Sequence, residues 1–103
     1  MSEPMRIRAQ AQGDKVTVRV LVGHEMESGQ RRDAAGKPVP AWFIQNIAAE
    51  CNGRIVMSAQ WGPAVSRNPF VQFAFRGARA GDKVSLTWVD NRGGRRTDEA
   101  VIT

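Results

Sequence analysis

Residues 42–60 read WFIQNIAAECNGRIVMSAQ, and how this stretch is parsed decides the fold class. Its first half, residues 42–51, is compatible with a short amphipathic helix. The Asn52-Gly53 pair argues against one, because a two-residue hairpin turn needs positive φ at both central positions and Asn-Gly meets that need well. Residues 54–60 then continue as an apolar-rich strand. The segment therefore predicts two antiparallel strands, 42–51 and 54–60, around a tight turn.

Working outward from the hairpin, the same period-two alternation recurs almost everywhere. Residues 5–11 set Met5, Ile7, Ala9 and Ala11 against Arg6, Arg8 and Gln10, and Gly13-Asp14 turns the chain. Residues 15–22 place Val16, Val18, Val20 and Val22 on one face. Residues 70–76 do the same with Val71, Phe73 and Phe75, and residues 83–90 with Val84, Leu86 and Trp88. Turn formers at 80–82 and 91–94 bound them, and a last strand covers 95–103. Seven short strands at regular spacing predict an all-β, antiparallel, immunoglobulin-like β-sandwich, with a small partly open barrel as the alternative. At 103 residues the chain is a single domain, 1–103.

Composition removes several function classes. One cysteine, Cys51, allows no internal disulfide. One histidine and one cysteine fall short of the roughly four ligands of a closed zinc site. Cys51 is in phase with Ile47 and Ala49, so it is expected to be a small buried hydrophobe; an interchain disulfide or a redox thiol is the functional alternative. His24 opens a loop after a strand, where an imidazole could serve a nucleophile. The simpler expectation is a surface histidine bonded to backbone in its turn. Glu25, Glu27 and Asp33 lack calcium-loop spacing and are expected to be solvated charges offsetting Arg31 and Arg32. Gly93-Gly94 lacks the flanking pattern of a phosphate loop. No apolar run approaches the roughly 20 residues of a membrane span.

The net charge is +5, and twelve of the fifteen basic residues are arginine. That balance suits carboxylate or phosphate-like partners and ion pairing across a protein interface. A basic β-domain binding nucleic acid, with Trp61 and Phe70 as stacking platforms, is the rival reading. The N-terminal MSEPMRIRAQ has an acid and a proline where a secretory signal has a basic and then an apolar region, so taken alone it points to the cytoplasm.

Two loops stand out. Residues 23–40 form a long polar connection, of a length that usually means function or mobility. Residues 60–70, QWGPAVSRNPF, hold much apolar surface in a stretch that Pro63 and Pro69 keep from being strand or helix. Trp61, Gly62, Pro63, Arg67, Asn68 and Phe70 are expected to form a pre-shaped connection facing a partner, with Trp61 and Phe70 anchored in the sandwich.

Residues 58–103 resemble the C-terminal half of the SoxZ family. Residues 24–47, HEMESGQRRDAAGKPVPAWFIQNI, are similar to that family's HxMExGxRxDxxGxxxPAxFI segment, with Ser28 in place of threonine. The resemblance implies a non-catalytic, cofactor-free subunit with an immunoglobulin-like fold that pairs with SoxY in a carrier of thiosulfate oxidation. The cargo cysteine belongs to SoxY, so Cys51 does not inherit it. It further implies passing contacts with a c-type cytochrome complex, a sulfate-releasing hydrolase and a sulfur dehydrogenase. Nucleic acid and membrane are not among the implied partners. It replaces the cytoplasmic expectation with a periplasmic one, reached by export together with SoxY.

Overall fold

The computed structural model describes residues 3–103. Seven strands follow in order: β1 (Arg6–Gln12), β2 (Lys15–Leu21), β3 (Ile44–Cys51), β4 (Arg54–Gln60), β5 (Phe70–Arg76), β6 (Lys83–Asp90) and β7 (Arg95–Val101). They form a three-stranded sheet in the order β1-β2-β5 and a four-stranded sheet in the order β4-β3-β6-β7, antiparallel throughout. The fold is the expected all-β immunoglobulin-like sandwich. None of the described helices is long and apolar enough to cross a membrane, since the described residues hold no helix.

The Asn-Gly turn behaves as its chemistry requires. Asn52 and Gly53 take φ of 52° and 79°, and β3 and β4 pair on either side. The inward residues of the two sheets then meet: Val16, Val18 and Val20 from β2 against Ile44, Ile47, Ala49, Val84 and Leu86 from β3 and β6, all essentially without solvent contact. Each of these valine, leucine and isoleucine side chains contributes about 1.5–3 kcal/mol of transfer free energy, as an upper estimate. Trp88 and Cys51 complete the row on the four-stranded side.

The sandwich is closed along one side and open along the other. On the closed side, residues 102–103 leave β7 and bond across to β1: Thr103 N donates to Ala9 O and Ala11 N to Thr103 O, both at 2.9 Å. The last strand is thus shorter than residues 95–103, because its tail is used to stitch the two sheets. On the open side, β4 and β5 are both edge strands, each paired on one side only, β4 with β3 and β5 with β2. A bulge between Ala49 and Glu50 sets two β4 residues against one of β3, leaving Val56 and Met57 both half-buried. At one end of this opening the Arg54 guanidinium of β4 donates to the Arg76 carbonyl of β5.

Residues 42 and 43 are not part of β3. Trp42 instead bridges to Glu27, and Arg32 bridges to Pro38, so the long polar connection is an ordered hairpin arm. Its tip is a turn in which Asp33 Oδ1 accepts from Ala35 N and Lys37 N. Strands of seven or eight residues span about 25 Å. The molecule is 54 Å long and about 20 Å across, with loops such as this arm extending beyond the sheets.

Candidate functional site

Where the arm leaves the sandwich, β2 has just ended and β6 is about to turn, which brings residues from three parts of the chain together. Val22 N bonds Pro69 O at 2.9 Å, Asn68 N bonds His24 O at 3.0 Å, and His24 N returns a bond to Asn68 Oδ1 at 3.1 Å. The QWGPAVSRNPF segment is therefore pinned to the root of the arm by its C-terminal half. Asn68 accepts a φ of 52° to make this contact, a conformation asparagine tolerates better than most residues.

His24 is buried, with 7% exposure, which corrects the expectation of a surface loop histidine. The physical reason is that both ring nitrogens have partners inside the fold. Nδ1 accepts from Met26 N at 3.1 Å, which requires it to be unprotonated in this geometry. The proton of the neutral ring then sits on Nε2, which donates to Asp90 Oδ2 at 3.1 Å. The backbone bond foreseen within the histidine's own turn is thus present, but the carboxylate partner was not foreseen. The ring lies edge-on between two tryptophans, with centroids 5.1 Å from both Trp42 and Trp88.

Asp90 is the hub. Its Oδ2 accepts from His24 and from Trp42 Nε1 at 2.8 Å, and its Oδ1 from Arg92 N at 3.0 Å and Gly94 N at 2.7 Å. Burial pushes this carboxyl upward, but the His24, Trp42, Gly94 and Arg92 donors outweigh it and hold the group below the usual carboxylate range. Gly94 is needed here for close approach, since a Cβ would lie 2.6 Å from Asp90 Oδ2. Arg92 lies 4.6 Å above the Trp42 ring, and Asn91 holds the returning strand of the arm at its base, accepting from Phe43 N and donating to Ala41 O. Sequence reasoning missed Asp90. Its only sequence signal was an acidic residue at the end of an alternating strand, immediately before a turn.

Chemically, the cluster is a lock. Every polar atom of His24 and Asp90 is engaged, and the group fixes the arm onto the β6–β7 turn. The cleft beside it, about 390 Å³, is lined by Glu3, Glu25, Arg67, Asn68 and Arg95 around the buried His24, Trp88 and Asp90. Arg67 pairs with Glu25 at 2.9 Å across its rim. No group of three metal-ligating side chains occurs among the described residues.

The six residues expected to face a partner divide. Arg67 and Asn68 reach the cleft; Gly62 and Pro63 form a turn whose Gly62 O accepts from Val65 N at 3.3 Å. Trp61 is half-buried against the core, and its N–H extends the β3–β4 pairing to Gln45 O at 3.0 Å. Phe70 is 62% exposed, so it is not anchored in the sandwich: β5 alternation turns Val71 inward and Phe70 outward, beside Leu21 of β2. Glu27 is not a solvated charge either, being 9% exposed and held by Arg31 through bonds of 2.7–3.0 Å. That hydrogen-bonded pairing draws its carboxyl below the ordinary range.

Cys51 is 2% exposed, as its phase predicts, and burial pushes its thiol upward. It sits beside Val84 at one end of β6, while His24 contacts Asp90 at the other. Six residues of strand are about 20 Å. A Cys–His catalytic pair is therefore removed by geometry.

The family described as Sulphur oxidation protein SoxZ matches residues 5–101. The chain belongs to the SoxZ family. Membership makes this SoxZ chain a protein of sulfur oxidation, within the Sox system. No curated protein matches it.

Among solved structures, a variant of superoxide reductase (neelaredoxin) from Ignicoccus hospitalis is 18% identical, with a TM-score of 0.65 over 99% of this chain and 80% of that one. A hypothetical protein from Pyrococcus horikoshii OT3 is 20% identical, TM-score 0.64, over 99% and 89%. A variant of the Archaeoglobus fulgidus superoxide reductase in the reduced form is 21% identical, TM-score 0.64, over 99% and 90%. At these identities the likeness is one of fold, and the reductases' activity stays with them.

Proposed function

We propose that this SoxZ chain is the non-catalytic partner of SoxY in a periplasmic carrier complex, in which SoxY bears the sulfur intermediate and this chain supplies its binding surface. The observation that carries the proposal beyond family membership is the open side of the sandwich. Ile55 at 65% and Phe70 at 62% exposure belong to β4 and β5, the two unpaired edges. Half-buried Val56, Met57, Ala59, Val71 and Phe73 lie behind them at the margin of the core. Edge strands without a covering element are what a soluble protein normally protects, and a stable partner is one form of protection.

Pairing with SoxY would cover these edges and shield the apolar row. The cytochrome complex, the hydrolase and the sulfur dehydrogenase would then meet the carrier as transient visitors. The test is size-exclusion chromatography of the chain mixed with SoxY at micromolar concentration. One co-migrating peak supports the proposal, and two separate peaks overturn it. Fractionation of cells carrying both genes, or this one alone, tests the location: periplasmic recovery should require SoxY.

A further inference from the structure

The outer face of the three-stranded sheet is distinct from the open side, and its charge pattern has no counterpart elsewhere in the sandwich. The register aligns four rows across β1, β2 and β5: Arg6–Leu21–Phe70, Arg8–Arg19–Gln72, Gln10–Thr17–Ala74 and Gln12–Lys15–Arg76. The face thus carries five cations and no acid. Arg6, Arg8, Lys15 and Arg19 form no ion pair among the described residues, and only Arg76 has one, with Asp14 in the adjacent turn. The outer face of the other sheet is balanced, with Glu50 and Glu99 against Lys83 and Arg95.

This arrangement works against the fold's own stability. Arg8 stands directly opposite Arg19 and Lys15 opposite Arg76, and like charges at facing positions are destabilising. Four of the five cations are arginine, whose planar fork matches carboxylates in pairs. Leu21 at 41% and Phe70 at 62% exposure add an apolar end to the basic field. The face is a flat sheet with one aromatic ring, which gives a nucleic-acid strand neither a groove nor a run of stacking platforms.

We infer that the outer face of β1-β2-β5 is a second docking surface, for the acidic face of another protein that binds transiently. Its composition argues for the transience, since stable interfaces have an apolar core depleted of charge, and this face is mostly cationic and polar with an apolar end at Leu21 and Phe70. On such a surface, complementary charge chiefly raises the association rate and selects the partner. The inference stands apart from the SoxY proposal in its five cations, which lie on the outer face of β5's sheet; Phe70, at the β5 edge, is the one side chain the two surfaces share.

The experiment compares the full chain with two variants of equal net charge. Arg8→Glu/Arg19→Glu leaves three cations against two acids on the face and keeps like charges opposed, so folding is little affected. Lys37→Glu/Lys83→Glu reverses cations elsewhere. The probes are poly-L-glutamate, short oligothymidine and vesicles rich in phosphatidylglycerol, at low and physiological ionic strength, with thermal midpoints recorded alongside. Poly-L-glutamate should bind best, and the face variant should weaken that binding about tenfold or more while the control changes it less than about twofold. Equal loss in both variants would reduce the effect to net charge and overturn the inference. So would tighter binding of oligothymidine or vesicles than of poly-L-glutamate. Loss of SoxY co-migration in the face variant would assign the surface to the pairing interface and equally overturn it. If the unmodified chain never pairs with SoxY, the SoxY proposal fails while the polyglutamate comparison still decides this one.

Discussion

His24 and Asp90 lie 66 residues apart in sequence, yet their side chains meet at 3.1 Å with almost no solvent contact. The contact is made by a histidine whose other nitrogen is already committed to Met26 N, so its geometry is set from both sides. Met26 itself takes a φ of 50°, a strained value for its residue type that the surrounding bonds hold in place.

Asp90→Ala should be severely destabilising. It leaves two side-chain and two backbone donors without an acceptor in a buried site, at a combined cost of at least about 3 kcal/mol. Trp42→Phe removes one of those donors and should cost closer to about 1 kcal/mol. Urea unfolding followed by tryptophan fluorescence measures both, and a loss for Asp90→Ala no larger than that for Trp42→Phe would contradict the hub role.

Acid should weaken the fold through Asp90 and Asp98. Burial pushes the Asp98 carboxyl upward, but hydrogen bonding from Arg96 and from Met5 N outweighs it and holds the group below its ordinary range. Both carboxyls are thus depressed in the folded state, and the unfolded chain binds more protons as pH falls. Their contribution is complete above the ordinary carboxylate value of about 4 and is lost as pH drops through the folded values. Urea midpoints should decline as pH falls below about 4, with a shallower decline in Asp98→Asn.

Cys51 should be unreactive in the native protein. Its thiol is buried and pushed upward, so both access and thiolate fraction are low. At mildly alkaline pH a thiol reagent should label it only as fast as the protein opens, and immediately in urea. Rapid native labelling, or a disulfide-linked dimer appearing without denaturant, would contradict this.

Arg8→Glu alone should stabilise the chain. It converts an Arg–Arg opposition into a Glu–Arg pair across β1 and β2, worth about 0.2–1 kcal/mol. A lower urea midpoint for this variant would show that Arg8 has a structural role the register does not reveal.

Ile55→Ser and Phe70→Ser should separate binding from folding. Both side chains are mostly exposed, so stability should change by no more than about 0.5 kcal/mol. SoxY affinity should fall about tenfold or more, as loss of an interface anchor does. Trp61→Ala, half-buried against the core, should do the reverse: lower stability with little change in affinity. Equal SoxY affinity in all three variants would move the pairing surface away from β4 and β5.

Much of this molecule follows from short-range patterning. Residues 54–60, 70–76 and 83–90 are strands with the boundaries that alternation predicts, because a period of two and flanking turn formers act on their own neighbourhoods. Cys51 is buried for the same reason, being in phase with Ile47 and Ala49. The errors fall where a residue's environment is supplied from far along the chain. His24 reads as a loop histidine until β6 delivers Asp90, and Trp42 reads as strand until Glu27 and Asp90 claim its backbone and its indole N–H.

The sequence by itself determined the strand count, the inward faces, the Asn-Gly hairpin and, through two long motifs, the SoxZ family, since each depends on residue type and spacing alone. Tertiary structure decided which polar groups are satisfied and which surfaces are left over. The QWGPAVSRNPF segment shows both: its prolines announce a shaped connection, but only the packed sandwich sends Trp61 inward, Asn68 to His24 and Phe70 outward. Likewise, five cations far apart in sequence, Arg6, Arg8, Lys15, Arg19 and Arg76, become one basic face only once the register sets Arg8 beside Arg19 and Lys15 beside Arg76. Burial and hydrogen-bond completion are properties of the whole packed chain, and no local window contains them.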